Sequence, residues 1–483
     1  LAAEKKPFAY DFREVAPKGA SREMFLREDG SPDPLRSTDG ALAIAVPGAA
    51  EGYVKLQRRW GRLKLAQVLA PAIRLAQQGF PVTPQYQRVA THRLDCLRND
   101  PDAASIFLVH PRGEPRPVVP PLGARIVQKD LAKTLQTMAA KGEKGFYEGW
   151  VAKAIAADVR HKGGVLTEED LKQYEPVDRA PLVGSYRGHP VVTMPPPSGG
   201  GITVLQVLNV LELVDVGRRY RAPEVLHLYA EATKQSYADR ASHLGDPAFN
   251  DVPVERLISK AYAKELFDAV HGKPARPAAK VTALPQSEHT SHYSIVDAEG
   301  NAAAITTTVN YLFGSCVVAK GTGVLLNDEM DDFAARPGTP NTYGLVTGEA
   351  NAVAPGKIPL SSMSPTLVFA KGDPARVQLV VGSPGGPTIP TTVIQAIVNV
   401  LDYRMPLDRA LGTGRLHHQY LPDALRAEPN ALESETWFAL EKMGHALEVK
   451  PQWGDAHAVL VDPDTNVRYG ASDMRGEGRA VGQ

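Results

Sequence analysis

Thr290-Ser291-His292-Tyr293-Ser294-Ile295-Val296 leads through Asp297-Ala298-Glu299-Gly300-Asn301 into Ala302-Ala303-Ala304-Ile305-Thr306-Thr307-Thr308-Val309-Asn310, and this stretch decides the fold. Two runs of β-branched and small residues flank a polar loop that contains a glycine, the pattern of a β-hairpin. If Val296 faces Ala302, the register places Thr290 opposite Thr308. Directly opposed side chains share one face about 5 Å apart, so the Thr308 hydroxyl is placed to hydrogen-bond that of Thr290.

Residues 272–289 (GKPARPAAKVTALPQSEH) are polar, proline-rich and without apolar periodicity, which predicts an exposed, flexible connector ending at Thr290. A threonine hydroxyl is a poor nucleophile until a base takes its proton. At a chain terminus its own α-amino group can serve, with an unperturbed pKa of about 7.7–8.0. Cleavage between His289 and Thr290 would create that terminus. Threonine-rich strands also arise from β-propensity alone, so the hairpin by itself does not select this chemistry.

Helical periodicity runs over 53–78, 130–140, 150–160, 202–214, 222–244, 391–401 and 432–443, and Thr167 caps a helix whose first turn is Glu168-Glu169-Asp170. Helices mixed with antiparallel-type strands predict an α+β layered fold. The 54 basic residues equal the 54 acidic ones, so there is no surplus to hold a nucleic acid. No apolar run approaches the roughly 18 residues of a membrane span. Cys96 and Cys316 are far apart and outside any CxxC pattern, and are read as two unpaired packing cysteines. Pro195-Pro196-Pro197-Ser198-Gly199-Gly200-Gly201 lacks the phosphate-loop pattern, His417 and His418 are adjacent and not helically spaced, and no GxSxG elbow occurs. Neither a metal nor an organic cofactor is expected. The opening residues KPFAYDFRE read as the middle of a strand, so further sequence is expected upstream.

From Thr290 onward the chain resembles the small subunit of the γ-glutamyltransferases (γ-glutamyltranspeptidases, glutathione hydrolases) of the bacterial lidded type. The resemblance is carried by TSHYSIVDAEGNAAAITTTVN, GVLLNDEMDDF, PNTYGLV, GKIPLSSMSPTLVF, GSPGG, RLHHQYLPD and YGASD. Upstream, DFREVAPKGASREMF, AVPGAAEGY, MPPPSGGG and YADRASHLGDP resemble the large subunit. The family implies an αββα N-terminal-nucleophile (Ntn) hydrolase sandwich made from two autocleavage products. Residues 1–289 would be the large portion, N-terminally incomplete, and 290–483 the small catalytic subunit, interwoven in one domain.

By the same resemblance Thr290 is the nucleophile, Thr308 supports its hydroxyl, and the Gly385 and Gly386 amides form the oxyanion hole. Glu329, Asp332 and Asn310 would hold the substrate's α-ammonium. Arg13, Ser361 and Ser362 would hold its α-carboxylate, for which a planar guanidinium is suited. Arg336–Gly344 resembles a lid loop with Tyr343 as its gate. Two departures stand out: serine at 291, where threonine is commoner, and Cys316 at a usual glycine. The implied substrates are glutathione and related γ-glutamyl amides, with water, amino acids or dipeptides as acceptors, and the implied location is periplasmic or secreted. A cephalosporin (glutaryl) acylase is the alternative, although its substrate lacks the amino group an acidic clamp would hold. A non-catalytic relative is a third reading.

Overall fold

Runs rich in valine, leucine and threonine at 182–193, 366–382 and 457–472 favour extended backbone. In the computed structural model, which describes residues 1, 4, 6–278, 290–341 and 344–482, they pair into one sheet. The strands are β1 (Leu182–Tyr186), β2 (His189–Thr193), β3 (Ser291–Val296), β4 (Ala302–Thr307), β5 (Thr366–Ala370), β6 (Asp373–Gly382), β7 (His457–Val461) and β8 (Arg468–Ser472). Six of them form an antiparallel sheet in the order β8-β7-β6-β5-β2-β1. Strands from before and after residue 290 thus lie side by side.

The helices that matter here are α1 (Ala49–Trp60), α2 (Leu65–Gln78), α3 (Lys129–Lys141), α4 (Gly149–His161), α5 (Gly200–Leu211), α6 (Pro223–His243) and α7 (Ile389–Leu401). Helix α5 is apolar almost all round and buried throughout, as expected of a helix enclosed on every side. Its Ile202, Leu205 and Leu208 share a core with Val368 and Leu379 of the sheet and Val393 and Ile397 of α7. The hairpin β3–β4 packs on β6 and β7 across the sheet's other face. Helices α1–α4 lie on the hairpin's side, where Arg62, just after α1, pairs at 3.0 Å with Glu299 of the hairpin turn. Helices, six-stranded sheet, hairpin and helices give the αββα order of an Ntn hydrolase, with the hairpin as the second sheet layer.

The hairpin register runs from Val296 opposite Ala302 to Ser291 opposite Thr307, as expected. Tyr293 and Ile295 point outward and are half-exposed, while His292 and Thr306 are buried against the sheet. No helix among the described residues is long and apolar enough to cross a membrane.

Three expectations are corrected. The single helix over 53–78 is two, because the chain turns at Gly61–Leu63 and restarts with Lys64 N–H donating to Gln67 at 3.0 Å. The described part of the connector is tied down. Ala275 N–H donates to Met443 O at 2.8 Å, Arg276 pairs with buried Glu231 at 2.7 Å, and Ala278 N–H reaches Asp423 at 2.5 Å. Polar composition hid these partners because they lie in distant elements. Cys96 and Cys316, read as unpaired, form a disulfide between Cα atoms 5.9 Å apart. Arg93 sets the approach by donating to the carbonyls of Leu312 at 2.9 Å and Gly314 at 3.0 Å. Spacing along the chain carries no trace of that fold-back.

Candidate active site

Antiparallel pairing decides where the site lies. Thr366 begins β5 opposite Val381 near the end of β6 and beside Thr193 at the end of β2. The loops 194–201, 361–365 and 383–386 therefore leave the sheet at one end. The hairpin is held at that same end by His292, because an added Cβ on Gly382 would lie 2.2 Å from the imidazole Cε1. The ring is fixed by Thr306 Oγ1 at 2.8 Å and Ser294 Oγ at 3.1 Å. Burial lowers its pKa to about 3, so it remains a neutral wedge at physiological pH. Thr290 and Thr308 are the next residues beyond the last paired rung, so continuing the register sets them opposite one another. Thr308 Oγ1 accepts from Asn310 N–H at 2.9 Å.

Asn310 is buried and takes a left-handed φ of 71°, a conformation asparagine tolerates better than most residues. Its side-chain amide donates to Asp328 O at 3.1 Å. The next four residues make one 3₁₀ turn, Glu329–Asp332. At three residues per turn, positions i and i+3 eclipse, so the two carboxylates project from one face. Asn351 fixes the turn by donating to Asp332 O at 2.7 Å.

That face meets Arg13. One guanidinium nitrogen pairs with Glu329, another with Asp332, and Nε donates to Pro359 O at 2.8 Å. The sequence assigned Arg13 and the two acids to opposite charges of a substrate, and the structure joins them to one another. Burial works against the Arg13 charge, but the two carboxylates outweigh it and hold the pKa above the ordinary arginine range. Burial pushes Glu329 well above the carboxylate range and raises Asp332, with Arg13 offsetting only part of the effect. Glu329 Oε2 is buried without a hydrogen-bond donor among the described residues. An unfilled buried acceptor is a place for an incoming cationic donor.

Ser361 and Ser362 lie in the loop before β5, both buried. They are braced by the Pro-Pro-Pro-Ser-Gly-Gly-Gly run, which carried part of the family resemblance but was given no place in the site. Ser361 N–H donates to Pro197 O at 2.9 Å, Gly199 N–H donates to Ser361 O at 2.8 Å, and Ser198 Oγ donates to Met363 O at 2.6 Å. A Cβ on Gly200 would lie 2.1 Å from Ser364 Oγ, so glycine is what lets the two loops touch. Gly385 and Gly386 have φ of 135° and 51°, open to glycine and strained for other residues. Their amides have no acceptor among the described residues.

His289 and Tyr343 lie outside the described residues. The structure adds residues that sequence reasoning missed. Tyr237 donates to Pro387 O beside the glycine pair, and Arg240 follows one turn later on α6. Glu14, next to Arg13, is buried and raised to about 7 by that burial. The segment YADRASHLGDP did contain Tyr237 and Arg240, but nothing in its pattern pointed at the site. His417 is held between Thr391 and Gln419, each at 2.9 Å. Among the described residues no cluster of histidine, cysteine or acidic side chains could hold a metal.

A model of the family described as gamma-glutamyltranspeptidase matches residues 1–483. The glutathione hydrolase proenzyme of Escherichia coli (strain K12) is 43% identical over 473 residues, covering 97% of this chain and 80% of that protein. The acylase ACY 1 proenzyme of Pseudomonas sp. (strain SE83) is 35% identical over 487 residues, covering 99% and 83%. Among solved structures, cephalosporin acylase from Bacillus halodurans superposes with a TM-score of 0.83 at 26% identity, covering 99% of this chain and 84% of that one.

Proposed function

The chain belongs to the gamma-glutamyltranspeptidase family, and we propose from that premise that it takes glutathione and related γ-glutamyl amides as donors, with Thr290 as the nucleophile. It is an Ntn-type enzyme that transfers and hydrolyses γ-glutamyl groups, made as a proenzyme that yields two subunits.

In the precursor, Thr290 Oγ attacks the carbonyl carbon of His289. The peptide C–N bond breaks as the acyl group passes from nitrogen to oxygen, and water opens the resulting ester. Residues 1–289 then end in a carboxylate, and Thr290 begins residues 290–483 with a free α-amine. In turnover that amine takes the Oγ proton while Oγ attacks the γ-carbonyl of the donor. The Gly385 and Gly386 amides hold the oxyanion, worth about 2.7–4 kcal/mol per donor in comparable sites. The amine returns the proton to the leaving nitrogen, and water or the amino group of an amino acid or dipeptide releases the γ-glutamyl group from the ester. Thr308 supports Oγ, Asn310, Glu329 and Asp332 receive the α-ammonium, and Arg13, Ser361 and Ser362 receive the α-carboxylate. Tyr343 would be the gate of the lid loop. The work is done in the periplasm or outside the cell.

The observation that carries the reading is the acidic turn with its unfilled acceptor, Glu329 Oε2. A glutaryl donor has no ammonium to place there, so the turn favours a γ-glutamyl donor over a glutaryl one. The test compares γ-glutamyl- and glutaryl-p-nitroanilide, each with and without glycylglycine. The expected result is a preference for the γ-glutamyl donor of at least tenfold in kcat/KM, with rate stimulation by glycylglycine. Equal or better turnover of the glutaryl donor would overturn the γ-glutamyl reading.

A further inference from the structure

Arg13 is largely committed in this structure: three of its nitrogens already donate to Glu329, Asp332 and Pro359 O. A second guanidinium close by is not. Arg240 is 3% exposed, and its Nε and Nη1 are buried with no hydrogen-bond partner among the described residues. Burying a cation with unmet N–H groups is strongly unfavourable unless something completes it. Burial lowers its pKa to about 10, so it stays charged at neutral pH.

Its place on α6 is informative. Tyr237 and Arg240 are three residues apart and so lie on one face of the helix. Tyr237 reaches Pro387 O, next to the oxyanion glycines. Arg240 lies along the loop that braces the serine pair, with its Nε 3.4 Å from where a Cβ on Gly199 would stand. It is within electrostatic reach of Asp332 and of Arg13. Asp332 thus faces Arg240 as well as Arg13, so the acidic turn meets two guanidinium groups. The site thus presents an unfilled acceptor, Glu329 Oε2, and unfilled donors, Arg240 Nε and Nη1. An α-amino acid group offers the complement of both.

We propose that Arg240 is a substrate-binding residue that takes the α-carboxylate of the donor together with Ser361 and Arg13, and so makes the enzyme select donors that carry this carboxylate. The proposal rests on the γ-glutamyl reading above and adds a residue to it.

The experiment uses the self-cleaved enzyme and three p-nitroanilides: γ-glutamyl, glutaryl (carboxylate without ammonium) and 4-aminobutanoyl (ammonium without carboxylate). Arg240→Gln is expected to lower kcat/KM about 10- to 100-fold for both carboxylate-bearing donors, mainly through KM. For the 4-aminobutanoyl donor the change should be under threefold. Arg240→Lys, which keeps charge but not the fork, should fall between wild type and Arg240→Gln on the first two donors only. Equal losses on all three donors, or no loss on any, would overturn the proposal. If Arg240→Gln fails to fold or self-cleave, Arg240→Lys decides by the same comparison. A third readout is glutamate binding to wild type and Arg240→Lys, against 4-aminobutanoate, which lacks the α-carboxylate, as the control. A wild-type enzyme that prefers the glutaryl donor would sink the γ-glutamyl reading and still leave the Arg240 comparison meaningful, since that donor keeps the carboxylate.

Discussion

Gly382→Ala tests how the nucleophile strand is held against the oxyanion loop. The new Cβ would lie 2.2 Å from Cε1, 2.3 Å from Nδ1 and 2.6 Å from Nε2 of His292. Ordinary carbon contacts are about 3.5 Å, so the ring or strand β6 must move by roughly 1 Å. Gly382 does not have a left-handed φ, so alanine brings no backbone penalty and the overlap is the whole perturbation. His292 is 4% exposed and bonded to Thr306 and Ser294, which leaves the ring little freedom. Overpacking of this kind costs about 1–3 kcal/mol of stability. A displacement near 1 Å between nucleophile and oxyanion donors costs on the order of 100-fold in rate. The assay is threefold: melting temperature, extent of self-cleavage, and kcat on γ-glutamyl-p-nitroanilide. The expected result is a lower Tm, slowed cleavage and a kcat loss of about 100-fold with KM little changed. Adding His292→Ala removes the obstacle, so the double variant should be more stable than the summed single losses predict. Wild-type cleavage and kcat in Gly382→Ala, or strictly additive losses in the pair, would refute the role given to His292.

Asp332→Asn should lower kcat/KM for γ-glutamyl donors about 10- to 100-fold, mainly through KM, while self-cleavage proceeds; donor titrations with a gel check both. Glu14 is held near 7 in the folded protein against an ordinary carboxylate value near 4.5, so the native state binds its proton more tightly than the unfolded one. Its contribution to stability is therefore full below pH 4.5 and lost as pH rises through 7, and Glu14→Gln should raise Tm relative to wild type at pH 8 but not at pH 4. The difference corresponds to a few kcal/mol at most, and a pH-independent offset would refute it. Cys96 and Cys316 fall on opposite sides of the cleavage point. The two products should migrate together without reductant and separate with it, whereas Cys316→Ser should give two bands in both conditions.

The hairpin was legible because strand pairing is local: alternation and a five-residue loop set the register without help from the rest of the chain. The longer helices that were read were legible for the same reason, but the break at Gly61–Leu63, where a turn sits between two helices of matching apolar period, was not, and Pro84–His92 and Lys260–Val270 were not read. What the residues could not show was convergence. That Glu329 and Asp332 share a face follows from a 3₁₀ turn, and no pattern in Asn327-Asp328-Glu329-Met330-Asp331-Asp332 distinguishes that turn from an open acidic loop. The pairing of Arg13 with both acids spans more than 300 positions and is set by the sheet, as is the approach of Cys96 to Cys316. Arg240 was invisible because a lone arginine on a helix is usually a surface residue. Only its burial and empty hydrogen-bonding positions mark it out.

The central claim is that Thr290 frees its own amine and then does the chemistry. The direct measurement is a reducing denaturing gel of the purified protein, with N-terminal sequencing of the smaller band and Thr290→Ala beside it. Wild type is predicted to give two bands, the smaller beginning Thr290-Ser291-His292, and Thr290→Ala a single uncleaved band without turnover. A wild-type chain that stays whole yet turns over γ-glutamyl-p-nitroanilide, or a Thr290→Ala chain that still splits at this bond, would contradict it.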